Sequence, residues 1–389
     1  MGRAWAEVNL DNILHNYREF KRISNGNAKK TKVMCVVKAN GYGHGSCYIG
    51  KRLEKEGCDA FGVATFGEGL ELRRCGISSS ILIFNHIDRS DIEVALEQNL
   101  TITVFSKPMA EWISEKAKKP AKIHIKLDTG MNRVGLYPDE ALETIKYIHS
   151  LPNIEIEGAF THFSSAGDKD SSYTELQISR LEKIFSELDK TGIQIKIKHA
   201  ASSTAAIMYP KTHLDMIRCG ISLYGYYPSS NVEKSRIDLK PCMQLKSQIV
   251  RISNIGPNIP VGYGGLFITE RETKLATITV GYADGIHRTA TGKLQVLVNG
   301  QNAPVVGRIC MDQCMVDITD INGDVAVYDE VVIYGEQKGS SISAEQVAAQ
   351  MGTVHYEVLC SISKRVPRYY FENGKIVGKD DFTGIFTPG

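Results

Sequence analysis

The sequence predicts an α/β fold: a (β/α)8 barrel of the TIM type, followed by a mainly-β C-terminal domain. Three observations carry this. From about residue 11 to 225, helix-like and strand-like segments alternate and supply about eight strands. After about residue 240, long helical periods give way to β-rich runs with turn signals. The chain's 389 residues exceed one ordinary core, and a barrel of about 250 residues plus a smaller domain accounts for them. The boundaries are set at 1–240 and 241–389, with the first few residues open to joining the second domain. A doubly wound sheet is the alternative, but no G-x-G-x-x-G opens a helix after the first strand.

Taken in order, Asp11 can cap a helix whose Ile13, Leu14, Tyr17 and Phe20 share one face. The β-branched run 33–37 leads into Lys38 as the first barrel strand. Ser46 caps a segment with Tyr48, Ile49 and Leu53. Residues 60–64 form a strand, Leu70 and Leu72 mark a helix, and 80–84 form the next strand. Residues 88–98 are helical by period, and 101–105 are extended. Ser106 caps a helix through Met109, Trp112 and Ile113, with Pro108 in its first turn. Strand 122–127, a helix opened by Pro138, strand 154–161 and a helix from Leu176 to Gly192 follow. Two strands, near 195–198 and 214–224, complete the barrel. Beyond it, Asn299-Gly300, Asn322-Gly323 and Asn373-Gly374 are hairpin candidates, 294–298 and 331–334 read as strands, and Ser343–Met351 as a helix.

Composition excludes some functions. A net charge of +2 gives no electrostatic case for nucleic acid or an anionic membrane. No window approaches the 18 or so apolar residues a membrane span needs, and the N-terminus has no apolar signal core. Met1-Gly2 is a weak myristoylation cue. The nine cysteines are scattered without C-x-x-C, which favours reduced thiols in a cytoplasmic protein, and no spacing suggests a metal site.

Chemistry enters with Lys38. A lysine carried from a buried strand into the glycine-rich turn 39–45 is held rigidly and partly desolvated, which favours the nucleophilic amine and suggests an imine with a carbonyl cofactor. A lysine snorkelling from a strand end is the simpler reading of that residue alone. Barrels place their chemistry at C-terminal strand ends, and polar residues collect there. Tyr42 joins Lys38; Lys126, Asp128 and Arg133 follow strand five; His162 ends strand six. His199, Ser202 and Ser203 end strand seven, and Arg218 and Gly220 lie on strand eight. The ends of strands seven and eight, with Ser203, Gly220 and Ile221, suit a phosphate, although Ser203 also reads as a helix cap.

These motifs resemble the alanine racemases. Val-Val-Lys-Ala-Asn-Gly-Tyr-Gly-His-Gly (36–45) is similar to that family's cofactor-lysine signature. Residues 126–135, Thr161-His162-Phe163, 218–221, 280–285 and 308–313 match its other blocks in order, so the likeness runs from about Trp5 to Arg368. The resemblance implies a pyridoxal 5'-phosphate enzyme that interconverts L- and D-alanine, supplying D-alanine for peptidoglycan. It implies that Lys38 carries the cofactor. Tyr42, Ser203, Gly220, Ile221 and Tyr356 would hold its phosphate. Arg218 would face the pyridine nitrogen, and Arg133 the phenolic oxygen and substrate carboxylate. Lys126 is the position carbamylated in many members. Lys38 and Tyr282 would be the two catalytic bases, one for each face of the substrate. Met311 would bind the carboxylate through its N–H. Tyr282 and Met311 would come from the other subunit of a homodimer. His162, at the cofactor, and Arg218 are the expected cations that favour the Tyr282 phenolate. Ser202 and Gly41 depart from the family's usual Asn and Ala. Open alternatives are a racemase of serine or another amino acid, a two-domain decarboxylase and a non-catalytic cofactor carrier. Arg218, in place of an acid, speaks against the decarboxylases, and the β domain speaks against the carrier.

Overall fold

The structure, a computed structural model, describes residues 2–25 and 30–381. The chain forms two compact units. One comprises Asn12–Gly41 and Ser46–Pro241; the other comprises residues up to Asp11, Tyr42–Gly45 and the chain from Cys242 onward. Strand β1 (Ala4–Asn9) belongs to the latter.

The first unit is a barrel of eight parallel strands: β2 (Lys32–Val36), β3 (Ala60–Val63), β4 (Ser80–Ile83), β5 (Leu100–Val104), β6 (Ala121–Lys126), β7 (Ile154–Phe160), β8 (Ile197–His199) and β9 (Met216–Cys219). Their order is β8-β7-β6-β5-β4-β3-β2-β9. At the seam, Asp215 N–H donates to Lys198 O at 3.0 Å and Arg218 N–H to Ala201 O at 2.9 Å, so the sheet nearly closes. Strands such as Leu100–Val104 are buried at every position, as parallel strands covered on both faces must be. Helices cover the outside: Leu10–Ser24 buries Ile13, Leu14, Tyr17 and Phe20. Inside, the layer on β6–β9 is polar, with His124, Lys126, His199 and Arg218 all buried.

In the second unit β10 (Met243–Ile255) is the hub. With β11 (Pro260–Val261), β12 (Phe267–Ile268), β13 (Thr273–Ile278), β14 (Gln295–Val298), β15 (Gln301–Val306), β16 (Cys314–Asp317), β17 (Glu330–Gln337), β18 (Ser340–Ile342), β19 (Arg368–Glu372) and β20 (Lys375–Asp380) it completes the strand set. β10 pairs with both β13 and β17, so β17-β14-β15-β16-β13-β10 closes into a six-stranded ring. β1 pairs antiparallel with β10 and parallel with β19. β11 and β12 form a separate two-stranded ribbon.

Several expectations change. The first barrel strand ends at Val36, and Lys38 opens a turn instead of closing the strand. Asp11 lies in the first turn of its helix, and its carboxylate accepts Asn373 N–H at 2.6 Å. The 88–98 segment becomes helical only at Ile92. Asn299-Gly300 and Asn373-Gly374 form tight hairpins, all four residues at φ between 51° and 75°. Asn322-Gly323 sits in the long β16–β17 connection, where the Asn322 carbonyl accepts from Asn299 and Gln301; no strand flanks it closely enough to pair. Helix His355–Cys360 was not foreseen, being short and lacking a side-chain cap. Cys47 and Cys75 form a disulfide, against the expectation of reduced thiols throughout. Among the described residues, no helix is long and apolar enough to cross a membrane.

Candidate active site

Lys38 stands on a strained backbone. Ala39, Asn40, Gly41 and Tyr42 follow it with φ of 52°, 52°, 61° and 50°, a left-handed turn. This conformation costs about 1–2 kcal/mol for each residue with a Cβ, and asparagine tolerates it best among them. The barrel unit supplies the restraint. Gly41 N–H donates to Val37 O at 2.8 Å, Ala39 N–H to Glu68 Oε1 at 2.7 Å, and Ser46 N–H to Asn40 Oδ1 at 2.9 Å. Glu68 thus does two jobs, since its other oxygen completes the capping box of its own helix. Within the β unit, Gly43 and Gly45 have no room for a side chain: a Cβ would overlap Leu359 O at the first and the Tyr370 hydroxyl at the second. The buried Arg368 donates to Gly43 O at 3.0 Å, and the Tyr42 and Tyr356 rings lie 6.5 Å apart.

After β6, Asp128 shapes a turn. Its carboxylate accepts the N–H groups of Gly130, Asn132 and Arg133 at 2.9–3.0 Å, which holds it below the usual carboxylate range and occupies it structurally. Asp128 therefore presents Arg133. Lys126 Nζ is buried, donates to Leu127 O at 2.8 Å, and lies 5.5 Å from the Phe160 ring. Burial, then the Arg218 charge, lowers its pKa to about 7.

Arg218 is enclosed in the barrel. Nη2 donates to Thr161 O and Ala200 O at 2.8 Å, and Nη1 to His199 Nδ1 at 3.1 Å. His199 Nε2 is 2.9 Å from His124 Nδ1, and His124 Nε2 is 3.5 Å from Glu157 Oε2. Gly158 gives the His124 ring its space: a Cβ there would stand 2.6 Å from the imidazole. Burial pushes Arg218 down to about 9, which leaves it charged at neutral pH. The same burial, with Arg218, Lys126, Arg133 and Lys38 around it, pushes His162 down to about 3. His162 is thus a neutral imidazole, and the expectation that it acts as a cation is corrected.

Ser203 starts the helix Ser203–Met208 and accepts Gly220 N–H at 2.9 Å, which links the ends of β8 and β9. Ile221 opens a short 3-10 turn after Gly220. In the β unit, Tyr282 and Met311 lie on two turns joined by Tyr282 N–H to Cys310 O at 3.0 Å and Ala283 N–H to Met311 O at 3.1 Å. One exposed phenol escaped the sequence reading. Tyr263 lies in a turn of the ribbon β11–β12, where Gly262, Gly264 and Gly265 all have positive φ. Its signal was present: Val-Gly-Tyr occurs at 261–263 and again at 280–282. Among the described residues, no group of three or more His, Cys, Asp and Glu could hold a metal ion.

The alanine racemase N-terminal domain matches residues 8–228, and the alanine racemase C-terminal domain matches 242–370. Alanine racemase from Clostridium novyi (strain NT) is 45% identical over 377 residues, 96% of each chain. That from Methanococcus maripaludis is 45% identical over 94% of this chain and 98% of the relative. A solved alanine racemase from Clostridium difficile 630 superposes with a TM-score of 0.93 at 40% identity, covering 98% of this chain and 99% of that one. The Bacillus anthracis alanine racemase with bound L-Ala-P gives 0.92 at 32% identity over 98% of both chains.

Proposed function

The chain belongs to the alanine racemase family, and on that premise we propose that it interconverts L- and D-alanine with pyridoxal phosphate held on Lys38. The observation that carries this is the lysine itself, fixed by a left-handed turn that the barrel restrains at three backbone N–H groups. The family depends on this cofactor, and the residues present suit it. Ser203 and Ile221 offer a hydroxyl hydrogen and a backbone N–H at two barrel strand ends, where phosphate commonly binds, and Gly220 N–H orients that hydroxyl by donating to its oxygen. Among the described residues, the hydrogen bonds of Arg218 use Nη1 and Nη2 and leave Nε for the ring nitrogen. Tyr42 and Tyr356 are the proposed hydroxyl ligands of the phosphate.

Bound pyridoxal phosphate draws electron density from the Cα of the attached amino acid and so makes its proton removable. Arg218 beside the ring nitrogen can donate a hydrogen bond and accept no proton, which limits side chemistry such as transamination. Arg133 holds the substrate carboxylate. Lys126, near neutral in pKa, has a reactive fraction that can take up CO2 as a carbamate, converting a cation into an anion that braces Arg133.

Inverting the centre requires a base on each face. Lys38 serves one. For the other, a phenol comes from a second copy in a homodimer. Tyr282 meets that description at 42% exposure, and Tyr263 meets it better at 69%. Tyr263 stands on a ribbon outside the main sheet whose Ile259, Leu266 and Ile268 are also exposed, an apolar patch suited to cover by another subunit. We therefore assign Tyr263 as the second base and Tyr282 as a neighbour that shapes the substrate's surroundings. The test is direct. Purified protein given pyridoxal phosphate should absorb as a bound imine and race L-alanine to zero optical rotation; Lys38→Ala should lose both. Colourless protein, or unchanged L-alanine, refutes the reading.

A further inference from the structure

We propose that Arg3, Asp284 and Arg365 are positioning residues for the substrate carboxylate, because together they fix the peptide that carries the Met311 N–H. The inference rests on the reading that this N–H receives the carboxylate.

The Asp284 side chain is wholly buried. It accepts Arg3 Nη1 and Nη2 at 2.8 and 3.0 Å, Arg365 Nε at 2.8 Å and Gly281 N–H at 2.9 Å. These bonds lock the turn 281–285. That turn in turn grips the backbone on both sides of Met311. Tyr282 N–H holds the Cys310 carbonyl, the far end of the same peptide plane as the Met311 N–H. Ala283 N–H holds the Met311 carbonyl at 3.1 Å, and Arg365 Nη2 approaches it at 3.4 Å. Arg3 Nη2 reaches Asp312 O at 2.9 Å, and Arg365 Nη2 reaches Asp312 Oδ1 at 2.7 Å. Among the described residues, these bonds engage the Met311 carbonyl and not its N–H. Gly281 admits the arrangement, since a Cβ there would stand 2.5 Å from the Met311 carbonyl carbon.

Two guanidiniums on one buried carboxylate stabilise a turn wherever they occur. Here the contacts also go to the carbonyls flanking one peptide. A planar amide held at its oxygen has its N–H direction set, so a few tenths of an ångström lost at Arg365 reach the substrate. Arg3 thereby takes part in substrate alignment through the turn it locks.

The experiment compares Arg3→Gln, Arg365→Gln, Arg365→Lys and Met311→Pro in the dimeric holoenzyme, reading KM, kcat, the inhibition constant of propionate and the bound-cofactor absorption. Propionate carries the carboxylate without the amine. Each Gln variant should raise KM and the propionate constant together by about 5- to 10-fold, with kcat within about twofold and the spectrum unchanged. Arg365→Lys should recover only part, since one ammonium cannot reach Asp284, Asp312 and the Met311 carbonyl at once. If Met311→Pro, which deletes the N–H, raises both constants while the Gln variants only lower the melting temperature, the positioning role is overturned and the Met311 reading stands. If Met311→Pro changes neither constant, the Met311 reading fails and the inference falls with it.

Discussion

Nη1 of Arg218 lies 3.1 Å from Nδ1 of His199, and that contact orders the protons of a buried chain. A guanidinium only donates, so His199 keeps its proton on Nε2 and gives it to His124 Nδ1. His124 then turns its own Nε2–H to Glu157. Each member donates in one direction, from the cation toward a carboxylate on β7. Both imidazoles must therefore stay neutral. Burial and the Arg218 charge favour that state, lowering the pKa of His124 and His199.

A pH dependence of stability follows. His124, His162 and His199 all titrate below their usual value in the folded state, so unfolding takes up protons. Stability is complete above the unfolded histidine pKa of about 6.5 and falls as pH drops through and below it. The slope approaches about 1.4 kcal/mol per pH unit for each imidazole fully titrating. A second decline begins below about 4.5, where Glu157, held at about 2, starts to protonate on unfolding. Thermal unfolding at about pH 7 and about pH 5 should show a clear loss at the lower value. Equal melting temperatures would contradict neutral buried imidazoles.

Lys126 gives a second prediction. With a pKa of about 7, its amine is substantially neutral at physiological pH, and only the neutral form adds CO2. Carbon-13 bicarbonate should produce a carbamate resonance that fades as pH falls below about 7 and is missing in Lys126→Arg. A resonance that persists in that variant would place the modification elsewhere.

Third, the Cys47–Cys75 disulfide joins the helix Ser46–Lys55, whose first N–H is held by Asn40, to the end of the helix that carries Glu68. With the cysteines 28 positions apart in sequence, its closure constrains the unfolded chain by about 3–4 kcal/mol. Reduction should lower the melting temperature by roughly 5–10 °C. The Cys47→Ser/Cys75→Ser variant should melt at the reduced value and no longer respond to reductant.

The sequence carried the barrel because parallel strands buried on both faces write themselves as apolar runs, as at 33–36 and 81–83. It carried the hairpins at 299–300 and 373–374 because two adjacent left-handed residues need Asn-Gly. What it did not carry depends on distant neighbours. The left-handed turn after Lys38 includes Ala39 and Tyr42, for which no local preference argues; Glu68 and Asn40 impose it. The neutral state of His162 comes first from burial and then from Arg218, Lys126, Arg133 and Lys38 around it, which spacing cannot reveal. The disulfide pairs cysteines on two helices and has no motif.

The two tyrosines provide the last prediction. Tyr282 and Tyr263 share a Val-Gly-Tyr setting and both are exposed, but they differ in restraint. Tyr282 sits on a turn locked by a buried carboxylate, with its N–H committed to Cys310 O. Tyr263 sits between glycines on a ribbon of two short strands, and it is the more exposed of the two. A base supplied to another subunit needs the second setting. A substitution that removes only a phenol oxygen separates them. Tyr263→Phe should abolish proton exchange at one face, cutting racemisation about 10³-fold or more while Lys38 still exchanges the Cα proton of one antipode with deuterium from solvent. Tyr282→Phe should change kcat by less than about tenfold and keep exchange from both antipodes. The reverse pattern would assign the base to Tyr282, and loss of exchange from both antipodes in either variant would show damage to the Lys38 side instead.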